Sequence, residues 1–168
     1  MNMRRAVLLV FLALQLAGRA AEPVSMRDVF RAMPDSLLPY LTANNRLDFI
    51  DFIDSGMKAE VRNSLGGQSL MTSLTADSLS LTLNDQSRVD IMLLDIECEP
   101  IDSCSQVVAL VWTVGKAPLP QETLFECYSV RWRKLDALPP LSSAGRSRIS
   151  NSGVLKVVDW YKNTINKW

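Results

Sequence analysis

The chain has 168 residues, 18 basic and 18 acidic side chains, and no histidine. A balanced charge supplies no electrostatic footprint for a phosphate backbone, so nucleic acid is not an expected partner. The missing histidine excludes every Ser–His and Cys–His nucleophile and removes the commonest zinc ligand, and no cofactor motif replaces them.

In chain order, Met1-Asn2-Met3-Arg4-Arg5 and the apolar run from Ala6 to Ala17, interrupted only by Gln15, have the charged and apolar regions of a secretory signal peptide. A bilayer-spanning helix needs about 20 apolar residues, more than this run holds. Gly18 and Ala20 are the small residues of a cut after Ala20. Residues 1–20 are therefore expected to be a cleaved signal peptide that sends the protein to the periplasm or outside the cell, with no stable membrane span left afterwards. Removing Arg4, Arg5 and Arg19 from the 18 basic residues leaves 15 against 18 acidic, a net charge of −3.

Residues 21–138 read as one α+β domain. Ser25-Met26-Arg27-Asp28 resembles a capping box, and Met26, Val29, Phe30 and Met33 follow at helical spacing until Pro34. Asp35-Ser36-Leu37-Leu38 opens a short second helix that Pro39 limits. A third is marked by Asn44 or Asn45 as its cap, by Leu47, Ile50, Ile53 and Met57, and by Gly56 at its end. From Gln68 the period changes to two. Five strands follow: Gln68 to Leu74, Ser78 to Leu83, Val89 to Ile96, Val107 to Val114 and Thr123 to Arg133. Short connections make them a meander, and the expected fold is N-terminal helices on a single antiparallel sheet of about five strands.

The third and fourth of these strands are apolar on both faces, and the N-terminal helices can cover one. The other cover is either the amphipathic segment of residues 154–168, where Val154, Leu155, Val158, Tyr161, Ile165 and Trp168 form a stripe fit for a C-terminal helix, or a partner. That partner is an envelope protein or a second copy of the chain. The Pro, Ser and Gly content of residues 139–153 predicts a flexible linker between sheet and tail.

Four groups of residues carry candidate chemistry. Ser55-Gly56-Met57-Lys58 spells the S-x-x-K of penicillin-recognising acylases, but it closes a helix instead of opening one, and the S-D-N and K-T-G elements are missing. Asp48, Asp51 and Asp54 stand three apart on a helix, either as a carboxylate pair or cation stripe or as a solvated face with Asp54 paired to Lys58. Cys98 and Cys104 flank a hairpin loop and are candidates for a disulfide, although spacing does not establish connectivity; Cys127 is left over, as a reactive or a buried thiol. Arg131-Trp132-Arg133-Lys134 is a sugar- or nucleic-acid-like cluster, or the wet end of a strand with Trp132 in the core.

The segment from Val29 to Thr42 (VFRAMPDSLLPYLT), Asn45 to Phe52 (NRLDFIDF), the continuation Ser55 to Asn63 with Gly66-Gly67, and the strand ending in Trp132 resemble an uncharacterised family of exported Bacteroidales proteins, domain of unknown function 3256. The resemblance covers Val29 to Leu138 and implies a Gram-negative periplasmic or secreted setting, with no assigned activity, cofactor or catalytic residue. The expected function is a non-enzymatic binding or structural module of the cell envelope. The alternative is a hydrolase using Ser55 and Lys58 or a carboxylate pair.

Overall fold

The computed structural model describes residues 24–116 and 121–151. The expected signal peptide of residues 1–20 and the expected stripe of residues 154–168 lie outside these. Helix α1 (Met26–Arg31) begins at Ser25, whose hydroxyl accepts the Asp28 N–H. A 3-10 turn (Asp35–Leu37) follows Pro34. Helix α2 (Ala43–Asp54) is capped by Thr42, not by Asn44 or Asn45: the Asn45 side chain accepts the Thr42 N–H while the Asn45 N–H donates to the Thr42 hydroxyl. Asn45 thus fills the place that Glu or Gln takes in the usual reciprocal cap.

The buried stripe of α2 is Arg46, Phe49 and Ile50, whereas Leu47 and Met57 are exposed. Arg46 occupies a core position because its guanidinium reaches Asp35 at 2.8 Å and donates to the Leu41 carbonyl at 3.2 Å. A buried charge is tolerated where it is paired and hydrogen-bonded, and here the pairing fastens the 3-10 turn to α2.

The sheet is a single antiparallel meander of seven strands, not about five, in chain order: β1 (Glu60–Arg62), β2 (Gln68–Leu74), β3 (Ser78–Asn84), β4 (Ser87–Asp95), β5 (Gln106–Val114), β6 (Glu122–Ser129) and β7 (Lys134–Leu135). The two additional strands, β1 and β7, are too short to show a period of two. Strand β7 arises because the predicted strand from Thr123 to Arg133 ends at Ser129. The buried Ser129 hydroxyl accepts the N–H groups of Arg131 and Arg133, and Trp132 turns the chain with φ 62°. That left-handed conformation is unfavourable for a bulky residue. It is held by the indole N–H, which donates to the Val29 carbonyl of α1 at 2.8 Å, and by the Tyr128 ring.

Strict alternation sends Leu79, Leu81 and Leu83 of β3, Ile91 and Leu93 of β4, and Val108 and Leu110 of β5 to one face, under Met26, Phe30, Leu38 and Phe49 of the helical layer. Met92, Leu94, Val107, Ala109, Phe125 and Cys127 form a second core on the opposite face. Its cover is a correction to the sequence reading. Of the flexible linker expected over residues 139–153, the described residues 139–151 are instead docked: Leu141 bridges to Ile96, the Ser142 N–H donates to the Asp95 carbonyl, and helix α3 (Ser143–Asn151) lies on β4. Ser142 accepts the Gly145 N–H, and Ile149 and Leu141 enter the second core. The Ser and Gly content that reads as mobility supplies the cap and a close approach. From Ile91 to Leu94 of β4 and from Val107 to Val111 of β5, both faces are buried within the chain.

Gly145 sets how near α3 lies. A Cβ there would fall inside contact distance of the Asp95 carbonyl oxygen. In a free helix, glycine to alanine stabilises by about 1 kcal/mol. Gly145→Ala is expected instead to destabilise the protein by about 1–3 kcal/mol, because the clash is with backbone. Urea denaturation gives the sign; a gain in stability would mean that α3 is not docked.

Candidate functional site

The candidate nucleophile Ser55 is the C-cap of α2, and its N–H donates to the Asp51 carbonyl. Gly56 follows at φ 67° and turns the chain toward β1. Lys58 is exposed and its ammonium is drawn to Glu60 of β1 at 2.8 Å, not to Ser55. The S-x-x-K spacing that places serine and lysine one turn apart exists only within a helix, and here the helix has already ended.

Asp48, Asp51 and Asp54 are exposed on α2. Asp54 pairs with Arg27 of α1 at 2.6 Å instead of with Lys58, so it fastens two helices together. Among the described residues no group of three or more Asp, Glu, Cys or His is placed to hold a metal ion. Arg131, Arg133 and Lys134 are exposed around the buried Trp132. Arg133 pairs with Asp102 at 3.2 Å, and Lys134 bonds Glu126. Glu126 also accepts the Tyr128 hydroxyl at 2.9 Å. Burial works against the Glu126 charge, but the bonds from Lys134 and Tyr128 outweigh it and hold the carboxyl below its ordinary range.

All three cysteines are free thiols. Cys98 is exposed, Cys104 is buried, and Cys127 is buried in the second core beside Phe125. Burial pushes the Cys127 thiol up from 9.0 to about 12, against a weaker pull from a Tyr128 backbone bond. A thiol in that state is neither a nucleophile nor a metal ligand at neutral pH.

Two surface features escaped the sequence reading. On the second face, beyond α3, a recess of about 190 Å³ is lined by Ser78, Leu79, Ser80, Arg88, Asp90 and Met92. Its groups are already committed to one another: Asp90 accepts the Ser80 hydroxyl and two Arg88 N–H groups within 3.1 Å. Bonding to Asp90 raises the Arg88 pKa, so the guanidinium stays charged. The other feature is apolar. Trp112 pairs with Leu124 across β5 and β6, Val114 lies two residues further on the same face, and Tyr40 meets Trp112 edge-on at 6.5 Å. Val114 and Leu124 are 48% and 57% exposed. The alternation of β5 and β6 places these residues on one face, but the reach of the helical layer decides that they are left uncovered, and no local signal carries that.

Among the described residues no helix is long and apolar enough to cross a membrane. A family model described as "Protein of unknown function (DUF3256)" matches residues 20–144. The chain is similar to a solved domain of an uncharacterized protein from Porphyromonas gingivalis W83, with 21% identity over 66% of this chain and a TM-score of 0.53. That likeness concerns the fold, and the match spans about half, 53%, of the solved domain's length. No curated protein matches.

The Cys127 thiol generates a pH prediction. Its folded pKa lies above the unfolded value, so its contribution to stability is complete below pH 9.0 and is lost as pH rises toward about 12. Cys127→Val is expected to flatten the decline of unfolding free energy across that window while leaving it nearly unchanged in form below pH 8. Urea titrations at a series of alkaline pH values check this; parallel curves for the two proteins would contradict it.

Proposed function

The chain belongs to the DUF3256 family of proteins of unknown function, and from that premise we propose that it is an exported, periplasmic or secreted module that binds an envelope protein or a second copy of itself and catalyses no reaction. The observation that carries this reading is that the nucleophiles singled out in the sequence are held in structural roles. Ser55 caps a helix, Lys58 is paired to Glu60, and Cys127 is sealed in a core. Support for export comes from Arg4, Arg5, the apolar run to Ala17 and the small residues before Ala21.

Support for binding comes from the uncovered end of the helical face. Single exposed apolar side chains are ordinary, but Val114 and Leu124 adjoin each other and a half-buried aromatic pair, Trp112 and Tyr40. Aromatic side chains that are already held by their neighbours lose little entropy when a partner covers them. The alternative hydrolase would require Lys58 to leave Glu60 and approach a serine on the far side of Gly56, or two of the exposed Asp48, Asp51 and Asp54 carboxylates to close on a substrate.

Cross-linking of the full-length tagged chain in its envelope fraction, followed by mass measurement, tests the reading. A defined dimer or hetero-complex is expected, weakened at least about tenfold by Leu124→Asp, a loss of about 1.4 kcal/mol, with no change in the unfolding midpoint. A monomer with no cross-linked partner would overturn it. Labelling by a serine-reactive phosphonate that disappears in Ser55→Ala would establish the hydrolase instead. The export part has its own measurement: a reporter phosphatase fused after residue 24 should be active only outside the cytoplasm, with processing at Ala21.

A further inference from the structure

Cys98 and Cys104 lie in the connection between β4 and β5, which is tightly organised. Asp95 pairs with Gln106, and the Ile96 N–H donates to the Ser105 carbonyl at 2.9 Å, so the strand register puts Glu97 opposite Cys104. At the tip, Ile101 and Cys104 exchange both backbone hydrogen bonds, at 2.9 and 3.0 Å, around Asp102 and Ser103. Those two residues are left-handed, with φ 52° and 64°, as in the two-residue turn of a tight hairpin. Asp102 is further tied to Arg133.

Cys104 is thus paired in the register of the tip and adjoins the register of the strands. The residues Glu97 to Pro100 make up the difference as a bulge on one side only. Both ends of the bulge are fastened to Cys104 and its neighbour, so Cys98, next to Glu97, stays within about two residue lengths of a fastened end. Cys98 is exposed in this bulge.

Neither cysteine can pair with Cys127 instead. Cys127 is opposite Ala109, five residues along β5 from Cys104, which is about 16 Å of strand. It is level with Met92 on β4, six residues before Cys98. A disulfide tolerates Cα separations of up to about 7 Å.

We infer that Cys98 and Cys104 are a modification site: a disulfide-bearing oxidant joins them and clasps the bulge to the hairpin tip. The exposed Cys98 thiolate attacks the oxidant's disulfide, forming a mixed disulfide and expelling one thiolate. Cys104, deprotonated, then attacks the Cys98 sulfur and expels the second. Two protein thiols lose two protons and two electrons, and the oxidant's disulfide becomes two thiols. The bulge is also where the chain entering α3 docks, since the Glu97 N–H donates to the Pro140 carbonyl at 2.8 Å and Glu97 pairs with Arg146. The clasp therefore stiffens the platform that holds the cover of the second core.

The natural source of the oxidant rests on the export reading, but the bridge can be tested without it. The full chain, purified in reductant, is incubated with oxidised glutathione, denatured, alkylated and mapped by mass. The expected product carries one alkyl group, on Cys127, and loses two hydrogens in the tryptic peptide of residues 89–116. In Cys98→Ser, both Cys104 and Cys127 should be alkylated. The oxidised protein should gain about fifty-fold in its folding equilibrium over reduced protein, from closing a loop of roughly seven residues. Three alkylated cysteines, a stable glutathione adduct on Cys98, or a bridge to Cys127 would each overturn the site. Equal stability of the oxidised and reduced forms would overturn the clasp. Failure here leaves the reporter result on export untouched, and failure of the reporter leaves the bridge intact.

Discussion

Strands β4 and β5 carry apolar side chains on both faces, Ile91 and Leu93 with Val108 and Leu110 on one, Met92 and Leu94 with Val107 and Ala109 on the other. Each of these side chains larger than alanine contributes about 1.5–3 kcal/mol only when water is kept from it, so the pair needs a layer on each side. The N-terminal helices supply one layer. The other depends on helix α3. Its order comes from Ile149 and Leu141 entering the core, from Gly145 letting backbones meet, and from Arg148, which pairs with Asp77 and Asp95.

Period-two alternation made β3 legible, because a half-buried strand writes its two environments into alternate residues, whereas β4 and β5 were legible as apolar runs bounded by turn residues. Ser25 was legible as a cap for a similar reason: its bond to Asp28 is local. What could not be read depends on partners distant in sequence. Arg46 becomes a core residue only because Asp35 and the Leu41 carbonyl come to meet it. The end of β6 is decided by Trp132 reaching Val29, and α3 by the Asp95 backbone it rests on. Serine and glycine in residues 139–153 have the composition of a linker until a surface is provided.

The candidate chemistry divides in the same way. That Ser55 sits where α2 stops could be inferred from Gly56, whereas the capture of Lys58 by Glu60 and of Asp54 by Arg27 required the packed structure. Spacing left Cys127 as a reactive or a buried thiol, and the second core, where it lies with Phe125, makes it the buried one. The hairpin loop between Cys98 and Cys104 was readable from spacing; the bulge of Glu97 to Pro100 was not, since nothing in those residues announces two registers.

The hydrogen bond from Trp132 to Val29 spans 103 residues. Closing so long a loop carries a large entropy cost before any contact repays it, so this bond should form late in folding. During synthesis α1 has no indole to hold it until almost the whole sheet has been made, and six residues of helix cannot persist unaided. Helix α1 is therefore among the last of the described elements to settle, and the apolar side chains of Met26, Val29 and Phe30 stay available to chaperones for most of the chain's synthesis.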